Sequence, residues 1–190
     1  MTPIPIRAYM AGPYVFQPDA AIALFRERVC GLCEGSLQRV VIPIFPMDPI
    51  PALQPNRPPF TMDITDPQKI AAHCRRHIAR CDVIIADVTP FRGVQPDPGT
   101  VLEIGIAHGA GKRVVLYTRG NVPSLRERLT TEGFMKPRDE RDREGFFVED
   151  FGLPVDTMLS AYPCFESVEE ALRYELDLRV APAALGGPGL

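Results

Sequence analysis

The run CDVIIADV, residues 81–88, constrains this chain more than any other stretch. Its apolar residues fall on both odd and even positions, so a strand built from it buries both faces. Such a strand belongs inside a parallel sheet covered by helices on either side. The neighbouring segments supply them. Ile4 to Met10 alternates and ends in Ala-Gly-Pro, a first strand running into a tight loop. Pro18 and Asp19 then open an amphipathic helix to Cys33, with Ile22, Phe25, Val29 and Leu32 at spacings of three and four. Val40 to Ile44 is a short buried strand, and Asp66 before Pro67 caps a helix running to about Arg80.

Beyond residue 88, the loop TPFRGVQPDPG leads into a helix over about 100–111 and a strand from Arg113 to Thr118. The repeated β-α-β units predict an α/β fold, a doubly wound sheet of about five parallel strands with helices on both faces. Leu125 to Leu129 reads as a short helix, 130–147 as a charged loop, 151–159 as a docked segment and Ser167 to Val180 as a closing helix. Residues 1–180 form one domain by length, and the small-residue stretch 181–190 reads as a flexible tail.

Composition narrows the partners. A net charge of −3, with arginines scattered or paired with acids as in PRDERDRE (137–144), provides no basic field for polymeric DNA or RNA. The first residues, MTPIPIRAYMAG, lack the basic and apolar regions of a signal peptide, and no apolar run approaches a membrane span, so the chain reads as cytoplasmic. Prolines recur every few residues from Phe45 to Pro67, which excludes regular helix and marks a long loop of the kind kept for binding, a lid or pocket wall.

Five cysteines, an odd number without an export signal, favour reduced thiols over a disulfide framework. The CGLC at Cys30 to Cys33 closes a helix where a redox CxxC would open one, so packing is the expected role. A zinc site joining it to His73, Cys74, His77 or Cys81 lacks a second close-spaced pair, and no metal is expected.

Ligands of open α/β sheets bind outside the carboxyl ends of the strands, and here those positions are acidic. Tyr9, Met10, Ala11, Gly12 and Pro13 follow the first strand, Asp48 the second and Asp87 the third, with Asp97 and Glu103 in the next loop and helix. Glu103 sits among Val101, Leu102, Ile104 and Ile106, so its charge must be capped, paired or reactive. Two readings stand. Thr100-Val101-Leu102-Glu103 matches a capping box, and Ser167 to Glu170 shows the same box at the closing helix. Alternatively Glu103 is a nucleophile, with Asp97, six positions earlier, accepting substrate hydroxyls at the same cavity. Gly93 and Gly99 let a ligand approach that helix start closely. Tyr9 is either an ordinary strand aromatic or the group that orients Glu103; Asp87 and Asp48 cap turns or serve as acids near the ligand; His108 is solvated or packed. GIAHGAGK falls inside and at the end of a helix and is not a phosphate loop.

Taken together, YMAGPYVF (9–16), CDVIIADVTPFRG (81–93), PDPGTVLEIGIAHGAGKRVV (96–115) and FGLPVDTML (151–159) resemble the nucleoside 2-deoxyribosyltransferase family, the last segment its protozoan-like branch. The resemblance implies a flavodoxin-like sheet of order 2-1-3-4-5 and a reaction that moves 2-deoxyribose from one nucleobase to another without cofactor or metal. By position, Glu103 matches the nucleophile, Tyr9 the tyrosine that positions it and Asp97 the aspartate at the sugar hydroxyls. Gly12, Asp48 and Gly99 are expected at the substrate, and Asp87, then Asp48, are candidates to protonate the departing base. Asp156 matches an asparagine that a neighbouring subunit contributes, which implies a homodimer or higher homo-oligomer. Many members carry an aspartate where this chain has Cys74, eight positions before Asp82. The substrates implied are deoxyribonucleosides and free nucleobases. A nucleoside or nucleotide N-glycosidase, using the same residues with water as acceptor, and a non-catalytic nucleotide-sensing domain are the competing functions.

Overall fold

The computed structural model describes residues 4–35, 40–50, 65–149 and 151–180. Their strands are β1 (Ile6–Ala11), β2 (Val41–Ile44), β3 (Val83–Asp87), β4 (Arg113–Tyr117) and β5 (Cys164–Phe165). Every pairing is parallel, and the sheet runs β2-β1-β3-β4-β5, the order the resemblance implies. The helices are α1 (Asp19–Glu34), α2 (Pro67–Arg80), α3 (Pro98–Gly109), α4 (Leu125–Thr131) and α5 (Val168–Val180). Single 3-10 turns cover Pro13–Phe16 and Leu159–Ala161.

β3 is buried at all five positions, as its two-faced apolar pattern requires. Val83 and Ile85 enter one core with Ile6, Met10, Val29, Val115 and Leu172 under α1 and α5. Ile84 and Ala86 enter the opposite core with Tyr9, Ile78, Ile104 and Leu116 under α2 and α3. The two faces decide the site, because each residue at a strand end belongs to one side or the other.

An ion pair with its carboxylate end buried and its guanidinium half-exposed ties the first of these cores to β4. Glu175 on α5 is fully buried, and the Arg113 guanidinium grips it with Nε 3.2 Å from each carboxylate oxygen and one terminal nitrogen 2.6 Å from Oε2.

Three local expectations are revised. α3 begins at Pro98, two residues before the expected start, because Asp97 rather than Thr100 is its N-cap and proline suits the first helical position. Leu102 is 59% exposed rather than buried, since this phase turns Thr100, Glu103, Ile104 and Ala107 toward the sheet. At Ser167 the serine hydroxyl caps the Glu170 amide, but the Glu170 carboxylate reaches the Glu166 amide instead of completing the box. The reciprocal box occurs at Ser124 and Glu127, the start of α4.

Cys33 packs into the α1 face, and burial pushes its thiol up to about 12; that of Cys30 is raised by the same cause. Neither is a thiolate near neutrality, as packing cysteines should be. Residues 51–64 of the proline-rich loop and the tail 181–190 lie outside the described residues. No helix among the described residues is long and apolar enough to cross a membrane.

Candidate active site

Three elements converge on one carboxylate. Tyr9, fully buried near the end of β1, sends its hydroxyl to Glu103 on α3, donating to Oε1 at 2.7 Å. Cys74, on the inward-facing stripe of α2, lies close enough to act electrostatically on both groups. Glu103 therefore does not reach back to the Thr100 amide as a capping box requires. Its Oε1 is held instead by a side chain of the first strand, 94 residues away in sequence.

Burial, with a smaller contribution from the Asp97 charge, pushes Glu103 up to about 7 against the opposing hydrogen bond from Tyr9. A carboxylate with that setting is ionised in a large fraction of molecules at neutral pH and poorly solvated, which suits a nucleophile. Burial also drives the Tyr9 phenol far above its ordinary range, with the Glu103 charge adding to the rise, so it stays a donor. Cys74 is pushed to about 11 by burial and stays a neutral thiol.

Asp97 does two things. Its Oδ2 accepts from the Thr100 amide at 2.8 Å and the Thr100 hydroxyl at 2.9 Å, fixing the start of α3, and its charge reaches Glu103. Gly99 belongs to this cap: a Cβ there would stand 3.0 Å from Asp97 Oδ2. Behind the loop, the buried Arg128 holds the Val94 carbonyl at 2.9 Å and the Pro154 carbonyl at 3.0 Å, and also bonds the Pro123 carbonyl. This pins the loop before Asp97 to the segment before Asp156. No motif marks Arg128 in the sequence, because its partners are backbone carbonyls.

The other predicted residues are not brought to Glu103. Asp87 follows Val83 and Ile85 onto the α1 and α5 side of β3, across the sheet from Tyr9. Its Oδ1 accepts from the Thr89 amide at 3.0 Å and the Thr89 hydroxyl at 2.5 Å, and Oδ2 lies 3.1 Å from Arg119 Nε. Burial raises its carboxyl, with Thr89 and Arg119 pulling against the rise. It borders a cavity of about 350 Å³ lined also by Tyr14, Phe25, Arg28 and Tyr117. Gly12 supports this strand end: at φ +154°, a Cβ would stand 2.8 Å from the Asp87 Cβ. The two chain ends approach too closely for any side chain.

Asp48 is spent on local structure. Its Oδ1 pairs with Arg26 at 2.5 Å, its Oδ2 accepts from the Phe45 amide at 2.8 Å, and its carbonyl oxygen meets His73 Nε2 at 2.9 Å and His77 Nε2 at 2.8 Å. Asp156 caps the turn after it, accepting from the Met158 and Leu159 amides at 2.9 and 3.0 Å. His108 lies against the Tyr162 ring, with ring centroids 5.7 Å apart. Above the ends of β1 and β3, Phe16 and Phe91 stack with centroids 5.5 Å apart, and the Arg92 guanidinium covers both rings. Arg92 holds this place at φ +52°.

A tyrosine-held carboxylate with a second acid six residues earlier at the N-cap of its helix, at the carboxyl ends of a parallel sheet, can attack an electrophilic carbon and accept hydroxyls beside it. A sequence profile of the nucleoside 2-deoxyribosyltransferase family matches residues 8–158. Among solved structures, a 2-desoxiribosyltransferase from Leishmania mexicana is 31% identical, with a TM-score of 0.67 over 91% of this chain and 98% of that one. A CMP N-glycosidase from Clostridium botulinum is 16% identical, with a TM-score of 0.41 over 90% of this chain and 98% of that one. A 2-deoxyribosyltransferase from Bacillus psychrosaccharolyticus is 17% identical, with a TM-score of 0.42 over 63% of this chain and 77% of that one. No curated protein sequence matches. With four-fifths of its length inside the family profile and Tyr9, Asp97 and Glu103 gathered at one strand end, the chain belongs to the nucleoside 2-deoxyribosyltransferase family.

Proposed function

We propose that this protein transfers 2-deoxyribose between nucleobases by double displacement through Glu103. The free oxygen of the carboxylate attacks the anomeric carbon of a deoxyribonucleoside. The C–N bond breaks, its electron pair leaves with the base, and the base nitrogen takes up a proton from solvent. The resulting glycosyl ester is attacked at the same carbon by a nitrogen of a second base, which loses its proton as the carboxylate leaves. Two inversions retain the β configuration. The observation that carries this reading is the Tyr9 hydroxyl on Glu103 Oε1, which presents the other oxygen for attack.

Asp97 accepts sugar hydroxyls through Oδ1, its cap being made by Oδ2. Gly99 keeps the start of α3 open to the sugar, and Gly12 lets β1 end close against β3. Asp87 and Asp48 face Arg119 and Arg26, and this reading assigns neither of them the protonation of the base. Asp156 completes the site of a neighbouring subunit in a homo-oligomer, a role supported by its place in a segment pinned to the Asp97 loop through Arg128. The chemistry proposed calls on no metal or cofactor.

The test is chromatography after incubating the protein with deoxyinosine and adenine, beside Glu103→Ala and a control lacking adenine. Deoxyadenosine formed only by the intact protein supports base exchange. Hypoxanthine released equally with and without adenine indicates a hydrolase. No conversion of purine or pyrimidine donors would overturn the catalytic reading in favour of a binding domain.

A further inference from the structure

The cavity bordered by Asp87 has no part in the chemistry at Glu103. It lies at the carboxyl ends of β3 and β4, between α1 and α5, and its volume of about 350 Å³ is that of a small-molecule site. Tyr14 and Phe25, with ring centroids 4.6 Å apart, form an apolar wall that Val168 of α5 continues. Asp87 and Tyr117, partners across β3 and β4, form the polar wall. The Tyr117 residue is only 2% exposed, yet among the described residues its hydroxyl has no hydrogen-bond partner, and the oxygen is not sealed from the cavity. The Tyr14 hydroxyl, by contrast, donates to the Met10 carbonyl at 3.2 Å. A buried phenol ordinarily finds a partner, so one left open beside a cavity marks a place for a ligand atom. Asp87 Oδ2 meets only Arg119 Nε, at 3.1 Å, which leaves an acceptor position on the same wall.

The charges around the cavity set the class of ligand. Arg119 is paired with Asp87 and Arg28 with Glu169 at 2.5 Å, and Glu166 adds a further carboxylate. Both cations are already matched, so a phosphate would meet three carboxylates, and an ammonium would gain little beside two guanidinium groups. We propose that this cavity binds an uncharged planar nitrogen heterocycle, a purine or pyrimidine ring, against Tyr14 and Phe25, with a ring or exocyclic N–H donating to Asp87 Oδ2 and a ring acceptor taking the Tyr117 hydroxyl. Aromatic walls suit the faces of such a ring, and one donor beside one acceptor suits its edge. The site lies across the sheet from Tyr9 and Ile104, and it is independent of the double displacement at Glu103.

The test is methyl NMR of valine-labelled protein titrated with adenine, hypoxanthine, thymine and deoxyadenosine, with inorganic phosphate and methylammonium as charged probes. The Val168 signal is assigned from Val168→Ile. At least one of the ring compounds should shift Val168 saturably in the parent and equally in Glu103→Ala. Tyr117→Phe should bind about five- to tenfold more weakly. Its melting temperature should stay at the parent value, because the lost hydroxyl has no partner among the described residues, so weaker binding there is not loss of fold. A tighter response to adenine than to deoxyadenosine supports a site for free bases, and the reverse supports a site for nucleosides. The proposal fails if no ring compound shifts Val168, the cavity then holding water only, or if Tyr117→Phe binds as the parent does. It fails equally if only a charged probe shifts Val168, or if the shift disappears in Glu103→Ala. The shift is read without turnover, so absence of base exchange would sink the functional reading while this site is still decided.

Discussion

The Tyr9 hydroxyl stands 2.7 Å from Glu103 Oε1, joining the first strand to the third helix across 94 residues of sequence. The phenol is both orienter and partial compensation for burying the charge. Tyr9→Phe keeps the ring in its fully buried place and removes only that donor. A hydrogen bond to a charged group is worth about 1.5–3 kcal/mol, so kcat should fall about 10- to 100-fold while the fold survives. Steady-state exchange assays and circular dichroism check both halves.

The reaction needs Glu103 ionised, and burial places its titration at about 7. The rate of the first displacement should therefore climb as pH rises through about 7, a limb well above that of an exposed glutamate. A profile of kcat/KM between pH 5 and 9 tests this. A limb near 4.5, the ordinary value for the residue, would show that the carboxylate is solvated in the working enzyme.

The same setting costs stability. With its folded value raised from 4.5 to about 7, Glu103 favours the folded state most below about pH 4.5; that contribution falls as pH rises and is gone above about 7. Glu103→Gln removes the titration while keeping an acceptor for Tyr9. The variant should melt above the parent at pH 8 by a few degrees, at about 2–4 °C per kcal/mol, with the difference shrinking toward pH 5. Calorimetry at the two pH values measures it.

Asp97 combines a helix cap with a charge, and two substitutions separate them. Asp97→Asn keeps a good cap and removes the charge that raises Glu103, so the acidic limb should move down and melting should change little. Asp97→Ala also loses the cap, at about 1 kcal/mol, and should melt about 2–4 °C lower. Both should raise KM for the nucleoside if Asp97 holds the sugar.

The sheet was legible because β3 is apolar on both faces and because Asp66, Pro67 and the Ile22 to Leu32 spacing mark their helices locally. β5 offers two residues, too few for any periodicity, and the pairing with β4 that makes it a strand is invisible along the chain. The start of α3 was misplaced because Asp97 and Thr100 are both capping residues; Pro98 at the first helical position was the local sign that decides between them. Leu102 was misassigned for a separate reason: it stands two residues, about 200° of helical rotation, from both Thr100 and Ile104 and cannot share their face. Tyr9, Asp97 and Glu103 could be picked out as candidates from their places at strand and helix ends, and the structure sets the Tyr9 hydroxyl on Glu103. The nearness of Cys74 to Glu103 could not be read this way, since it depends on how two helices lie side by side on one face of the sheet. Nor could spacing alone show that Asp87 points to the other face, which follows from the phase of β3.

The group that holds Glu103 comes from position 9, so no short fragment of the chain contains this carboxylate together with its donor. Contacts of such long sequence separation form late, after the loops between them have closed. Partial refolding should thus restore helical signal before any turnover, and the appearance of base exchange during renaturation would time the final docking of α2 and α3 onto the first strand.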